Sequence, residues 1–111
     1  TLTQALEHGP QTTVEVSGLA ANALGAKQAG RICYDLARAT GTNCVNVEDE
    51  AIADAQKRLW TALRLVVEPA GAAALAALLS GAYRPQKDER LAVLLCGANP
   101  AASPFGPAKL Q

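Results

Sequence analysis

The run Val66-Val67-Glu68-Pro69-Ala70-Gly71-Ala72-Ala73-Ala74-Leu75-Ala76-Ala77-Leu78 decides how this chain is built. Pro69 disfavours helical geometry at the residue before it, so a helix arriving from upstream ends near Glu68. The same proline suits the first position of a new helix, where its missing N–H would have no partner anyway. That helix is mostly alanine and can lie close to a neighbouring layer. Gly71, Ala72, Ala73, Ala74, Ala76 and Ala77 therefore read as packing positions. The helix runs to about Ser80, and Gly81 is its stop.

The second informative run is Leu91-Ala92-Val93-Leu94-Leu95-Cys96-Gly97-Ala98-Asn99. Leu91 to Leu95 is too short for a helix and reads as a buried strand. It ends on a cysteine, a glycine and an asparagine. Open α/β sheets hold ligands at such strand ends. Cys96 is thus the leading candidate for chemistry, against the plainer reading of an inert core thiol. Asn99 either contacts a ligand or bonds its own turn.

Working outward, Glu48, Asp49 and Glu50 crowd the first turn of a long helix, and Arg58 and Arg64 lie near its end, which suits the helix dipole. Ile52, Ala55, Leu59, Leu63 and Val66 share one face. Glu68 stands before Pro69, where free helix N–H groups and the dipole would stabilise its carboxylate. Cys44 to Val47 reads as a short strand. Between Gly25 and Thr40, Ala29, Ile32, Cys33 and Leu36 repeat at helical spacing, and Gly41 stands at the C-cap position. Thr12 to Val16 alternates as a strand or extended segment, broken by Ser17 and Gly18. Residues 1–10 are a short helical or loop lead-in. The order β–α–β–α–α–β implies α/β architecture, an open sheet with helices packed on it in three layers. Residues 1–111 form a single α/β domain, with an irregular tail over 100–111.

Ten basic residues offset ten acidic ones, so nothing electrostatic calls for nucleic acid or an acidic membrane. No apolar run reaches the roughly 18 residues that span a bilayer. No signal peptide is visible, and a start at Thr1 without methionine leaves a lost leader open. Three cysteines, Cys33, Cys44 and Cys96, make no metal spacing, and an odd count fits a reducing cytoplasm. Cys33 and Cys44 read as core. His8 has no partner at useful spacing for metal or catalysis.

The Val66–Leu78 and Leu91–Asn99 runs, with Ser17-Gly18-Leu19-Ala20-Ala21 and Leu24-Gly25-Ala26-Lys27 upstream, resemble the C-terminal part of the threonine/serine dehydratases. These are enzymes of fold type II that depend on pyridoxal 5'-phosphate. The resemblance covers roughly residues 14–99. It implies removal of water and then ammonia from L-threonine or L-serine, an amino-acid substrate, and a homo-oligomer in the cytoplasm. It implies that Cys96 faces the pyridine nitrogen of the cofactor. A carboxylate there would keep the ring protonated; a thiol leaves it nearer neutral, which suffices for β-elimination. It places Glu68 and Gly18 near the cofactor ring as well, and Asn99 at the cofactor or at an effector edge. An ordinary strand-ending turn remains the alternative for Gly18. The family has glycine where Ala98 stands.

The resemblance assigns no catalytic residue and no metal ligand to this chain. The family's lysine, which links to the cofactor, sits in a Ser-x-Lys-x-Arg-Gly setting. None of Lys27, Lys57, Lys87 or Lys109 has that setting, and no glycine-rich phosphate loop is present. The chain therefore reads as the C-terminal third of a longer dehydratase, one wall of a cofactor pocket whose remainder is the missing N-terminal part. Racemisation of serine or dehydration of hydroxyaspartate would leave the same residues here. The rival is a non-catalytic small α/β interaction or regulatory module. A reading frame of about 111 codons favours the module, and one of several hundred favours the fragment.

Overall fold

The structure is a computed structural model that describes residues 1–99. The tail over 100–111 lies outside the described residues. Among those described, five helices follow one another: α1 (Leu2–His8), α2 (Ala21–Leu24), α3 (Arg31–Thr40), α4 (Asp49–Leu63) and α5 (Pro69–Leu79). The chain divides into two compact units, Thr1–Asn46 and Val47–Gln111.

In the first unit α1 packs against α3, burying Ala5 from one helix and Tyr34 and Ala37 from the other. Gly41 ends α3 in the left-handed region at φ 63, as expected from its position in the sequence. The amides of Gly41 and Thr42 reach back to the carbonyls of Arg38 and Ala37, which closes the helix. The apolar stripe expected to be core is not. Ile32 is 84% exposed, Leu36 is 62% exposed, and Cys33 is exposed too. A short α1 covers only the Tyr34–Ala37 side of α3. Periodicity located the helix, but the stripe it marked is not the side that this unit buries.

In the second unit α4 packs against α5. Ile52, Ala55 and Leu59 are buried on α4, and Pro69, Gly71, Ala72 and Ala76 on α5. The small buried residues of α5 let it pack closely on α4, while its three leucines, Leu75, Leu78 and Leu79, lie outside the buried set. α4 ends earlier than Pro69 requires. Arg64 takes a left-handed conformation at φ 58, and its Nη1 donates to the carbonyls of Trp60 and Thr61. Leu63 is consequently exposed and Val66 only half-buried, so the long apolar face stops at Leu59. Gln56 donates from Nε2 to the Val67 carbonyl at 2.7 Å, tying the link 64–68 back onto α4.

No β-strand forms among the described residues. Segments 12–16, 44–47 and 91–95 are non-helical but carry no ladder. The open three-layer sheet is therefore not seen, and Leu91 to Leu95 is not buried: Leu94 is 75% exposed. Strand composition is legible one segment at a time, but a strand exists only when another backbone accepts its hydrogen bonds.

Candidate functional site

Three of the four residues singled out in the sequence meet at the start of α5. Glu68 precedes the helix in extended geometry, at φ −68 and ψ 160, with Pro69 as the first helical residue. Its side chain does not cap α5, contrary to the expectation for a carboxylate at that position. Pro69 has no N–H to offer, and a nearer donor comes from across the fold. The Glu68 Oε2 accepts the Asn99 amide at 3.3 Å, and the Glu68 amide donates to the Gly97 carbonyl at 3.0 Å. One residue thus holds the turn on both sides of Ala98.

Two glycines make this approach possible. Gly97 sits at φ 75, and a Cβ there would overlap the Glu68 carboxyl. Gly71 is buried in the first turns of α5, and a Cβ on it would overlap the Cys96 carbonyl. In the sequence Gly71 reads only as one of several residues that allow close packing; the surface it meets is the backbone of the candidate turn itself. Neither glycine can be ranked above its neighbours from sequence, because the contacts that single them out cross some 25 residues of chain or more.

Cys96 is exposed, not the strand-end core residue expected. With segment 91–95 unpaired, nothing covers it within this unit. Cys44, also expected in the core, is half-buried. Gly18 lies in the first unit at φ 101, its carbonyl accepting the Ala21 amide as the chain enters α2. It is a turn glycine by geometry. The first unit also holds an open cavity of about 360 Å³, with Thr3, Gln4, Glu15, Ser17 and Asn46 among its lining residues. No motif in the sequence signals it, since α1, the 14–17 segment and Asn46 are brought together only by folding.

Chemically, the turn presents a thiol, a glycine whose missing side chain makes room for the Glu68 carboxyl, and an asparagine. It contains no lysine to bond a carbonyl, and no cluster able to hold a metal ion is present among the described residues.

Comparison with known proteins gives the turn its context. The model of the family described as "Pyridoxal-phosphate dependent enzyme" matches residues 1–97. Phenylserine dehydratase of Ralstonia pickettii is 36% identical over 85 residues, 77% of this chain and 26% of that protein. The biosynthetic L-threonine dehydratase IlvA of Salmonella typhimurium is 35% identical over 99 residues, 88% of this chain and 19% of that one. Among solved structures, a threonine deaminase from T.th. superposes with a TM-score of 0.78 at 33% identity, covering 93% of this chain and 37% of its own. The chain thus spans about a quarter or less of the curated relatives it matches. With the family's model running from Thr1 through the Glu68-held turn at Gly97, the chain belongs to the pyridoxal-phosphate-dependent enzymes.

Proposed function

We propose that this chain is the C-terminal part of a threonine/serine dehydratase of fold type II, an ammonia-lyase acting on L-threonine or L-serine. Residues 1–111 would be one α/β piece, completed by an N-terminal part that carries the lysine and the phosphate loop. The complete enzyme would be a cytoplasmic homo-oligomer. No helix among the described residues is long and apolar enough to cross a membrane. The net reaction yields a 2-oxo acid and ammonia, the water lost in elimination being returned on hydrolysis.

The observation that carries this reading is the Cys96–Asn99 turn, braced by Glu68 and packed on Gly71. When bound, pyridoxal phosphate supplies an electron sink at Cα. The residues here would line one side of its ring. Cys96 offers the ring nitrogen a neutral partner. Gly97 keeps the turn free of a side chain, and Glu68 stands behind it. The family resemblance adds Gly18 to the residues near the ring, with Asn99 at the cofactor or at an effector edge. The relatives named for phenylserine and threonine point to substrates with a hydroxyl on Cβ. The exposure of Ile32, Leu36 and Leu94 supports an incomplete apolar structure, more than it supports a self-sufficient module.

The test compares Cys96→Ser with Cys96→Asp in the complete enzyme. Serine keeps a neutral hydrogen-bonding group. Aspartate brings a charge that must bind a proton or draw one onto the ring. L-threonine turnover falls far more with aspartate, and the cofactor absorption band shifts only there. Equal behaviour with unchanged spectra removes Cys96 from the ring nitrogen.

A further inference from the structure

We infer that Glu68 is a positioning residue whose carboxylate acts on the backbone of the Cys96–Asn99 turn and not on the cofactor itself. The inference deepens the cofactor-wall reading and rests on it. Four observations carry it. Glu68 leaves its own helix uncapped, although it stands at the N-cap. It spends its side chain on the Asn99 amide and its main chain on the Gly97 carbonyl, so both bonds close on one turn. The carboxyl occupies the space that a Cβ on Gly97 would need. The helix behind it is anchored by buried Pro69, Gly71, Ala72 and Ala76, with Gly71 against the Cys96 carbonyl.

Glu68 thus links a rigid support to a segment that has no ladder of its own. Segment 91–95 has no strand partner among the described residues, so the turn after it takes its place from the start of α5. A shift in α4–α5 packing reaches Cys96 through this bracket. The arrangement also assigns Gly97 a second duty beside its positive φ: it makes room for the carboxyl that holds it.

The test separates positioning from direct electrostatics. Glu68→Gln keeps an oxygen acceptor at the same place and removes the charge; Glu68→Ala removes both. Hydrogen exchange is read at the backbone amides of positions 68 and 99. The alanine variant exchanges about tenfold faster at Asn99, the value of one lost hydrogen bond, while glutamine restores protection. In the complete enzyme loaded with pyridoxal phosphate, the cofactor absorption band follows the same order: moved by alanine, retained by glutamine. Unchanged exchange in Glu68→Ala overturns the bracket. A band moved equally by glutamine and alanine overturns positioning in favour of a charge acting on the ring. Failure of the unsubstituted enzyme to bind pyridoxal phosphate would instead refute the underlying cofactor reading, and leaves the exchange result to be judged by itself.

Discussion

The amide of Glu68 donates to the carbonyl of Gly97 at 3.0 Å across 29 positions of chain, and Gly97 has no side chain because the Glu68 carboxyl stands where it would be. Replacing Gly97 by alanine therefore meets two costs. The backbone at φ 75 strains any residue with a Cβ, by about 1–2 kcal/mol. The new methyl also displaces the Glu68 carboxyl and with it the Asn99 bond. Urea unfolding of Gly97→Ala shows a lower midpoint with an unchanged slope, and Asn99 loses exchange protection.

Gly71→Ala opposes two effects of known size. In a helix, alanine is favoured over glycine by about 1 kcal/mol. Here the added Cβ overlaps the Cys96 carbonyl, a backbone atom that cannot rotate away. Overpacking against a fixed group costs about 1–3 kcal/mol or more, so the steric term wins. The variant is less stable than the parent by urea unfolding. An equal or greater stability would show that the turn yields freely.

The hydroxyl of Tyr83 donates to Glu89 Oε1, and the Gln86 amide donates to Glu89 Oε2 at 2.7 Å, which pins the 83–89 turn. The bond from Tyr83, and secondarily that from Gln86, holds the Glu89 carboxyl below its ordinary range. The same bond to Glu89 raises the Tyr83 phenol. Glu89 is depressed on folding, so its contribution is present above the unfolded value and is lost as pH falls through the folded one. Tyr83 is raised, so its contribution is present below the unfolded value and lost as pH rises through the folded one. Protection of the Gln86 amide, corrected for intrinsic exchange, is therefore flat near neutrality and falls at acid pH. Glu89→Gln removes the acid limb.

Ile32 is 84% exposed on α3. Ile32→Glu changes the stability of this chain by less than about 0.5 kcal/mol, as surface substitutions do. In the complete enzyme the same change costs several times more, because the fragment reading puts a covering surface there. Equal small effects in both settings count against the longer enzyme.

None of the lysines stands in the setting that bonds the cofactor. Incubation of this chain with pyridoxal phosphate, borohydride reduction and peptide mapping gives sparse labelling spread over several lysines. One stoichiometric pyridoxyl-lysine would contradict the assignment of the reactive lysine to another part of the protein.

What the sequence alone determined about this protein was local. Pro69 set the start of α5, Gly41 the end of α3, and the acidic cluster at 48–50 the start of α4, because each acts through the backbone of its own few residues. The motif around Cys96 and Glu68 also pointed to the right family. Whether a stripe such as Ile32–Leu36 is buried, and whether 91–95 becomes a strand, depends on a partner surface that no window of sequence contains. The bracket from Glu68 to Gly97 and Asn99, and the contact of Gly71 with Cys96, were decided by the tertiary structure alone. Hydrogen bonds and steric exclusion act over a few ångströms, and only folding brings residues some 30 positions apart within that range.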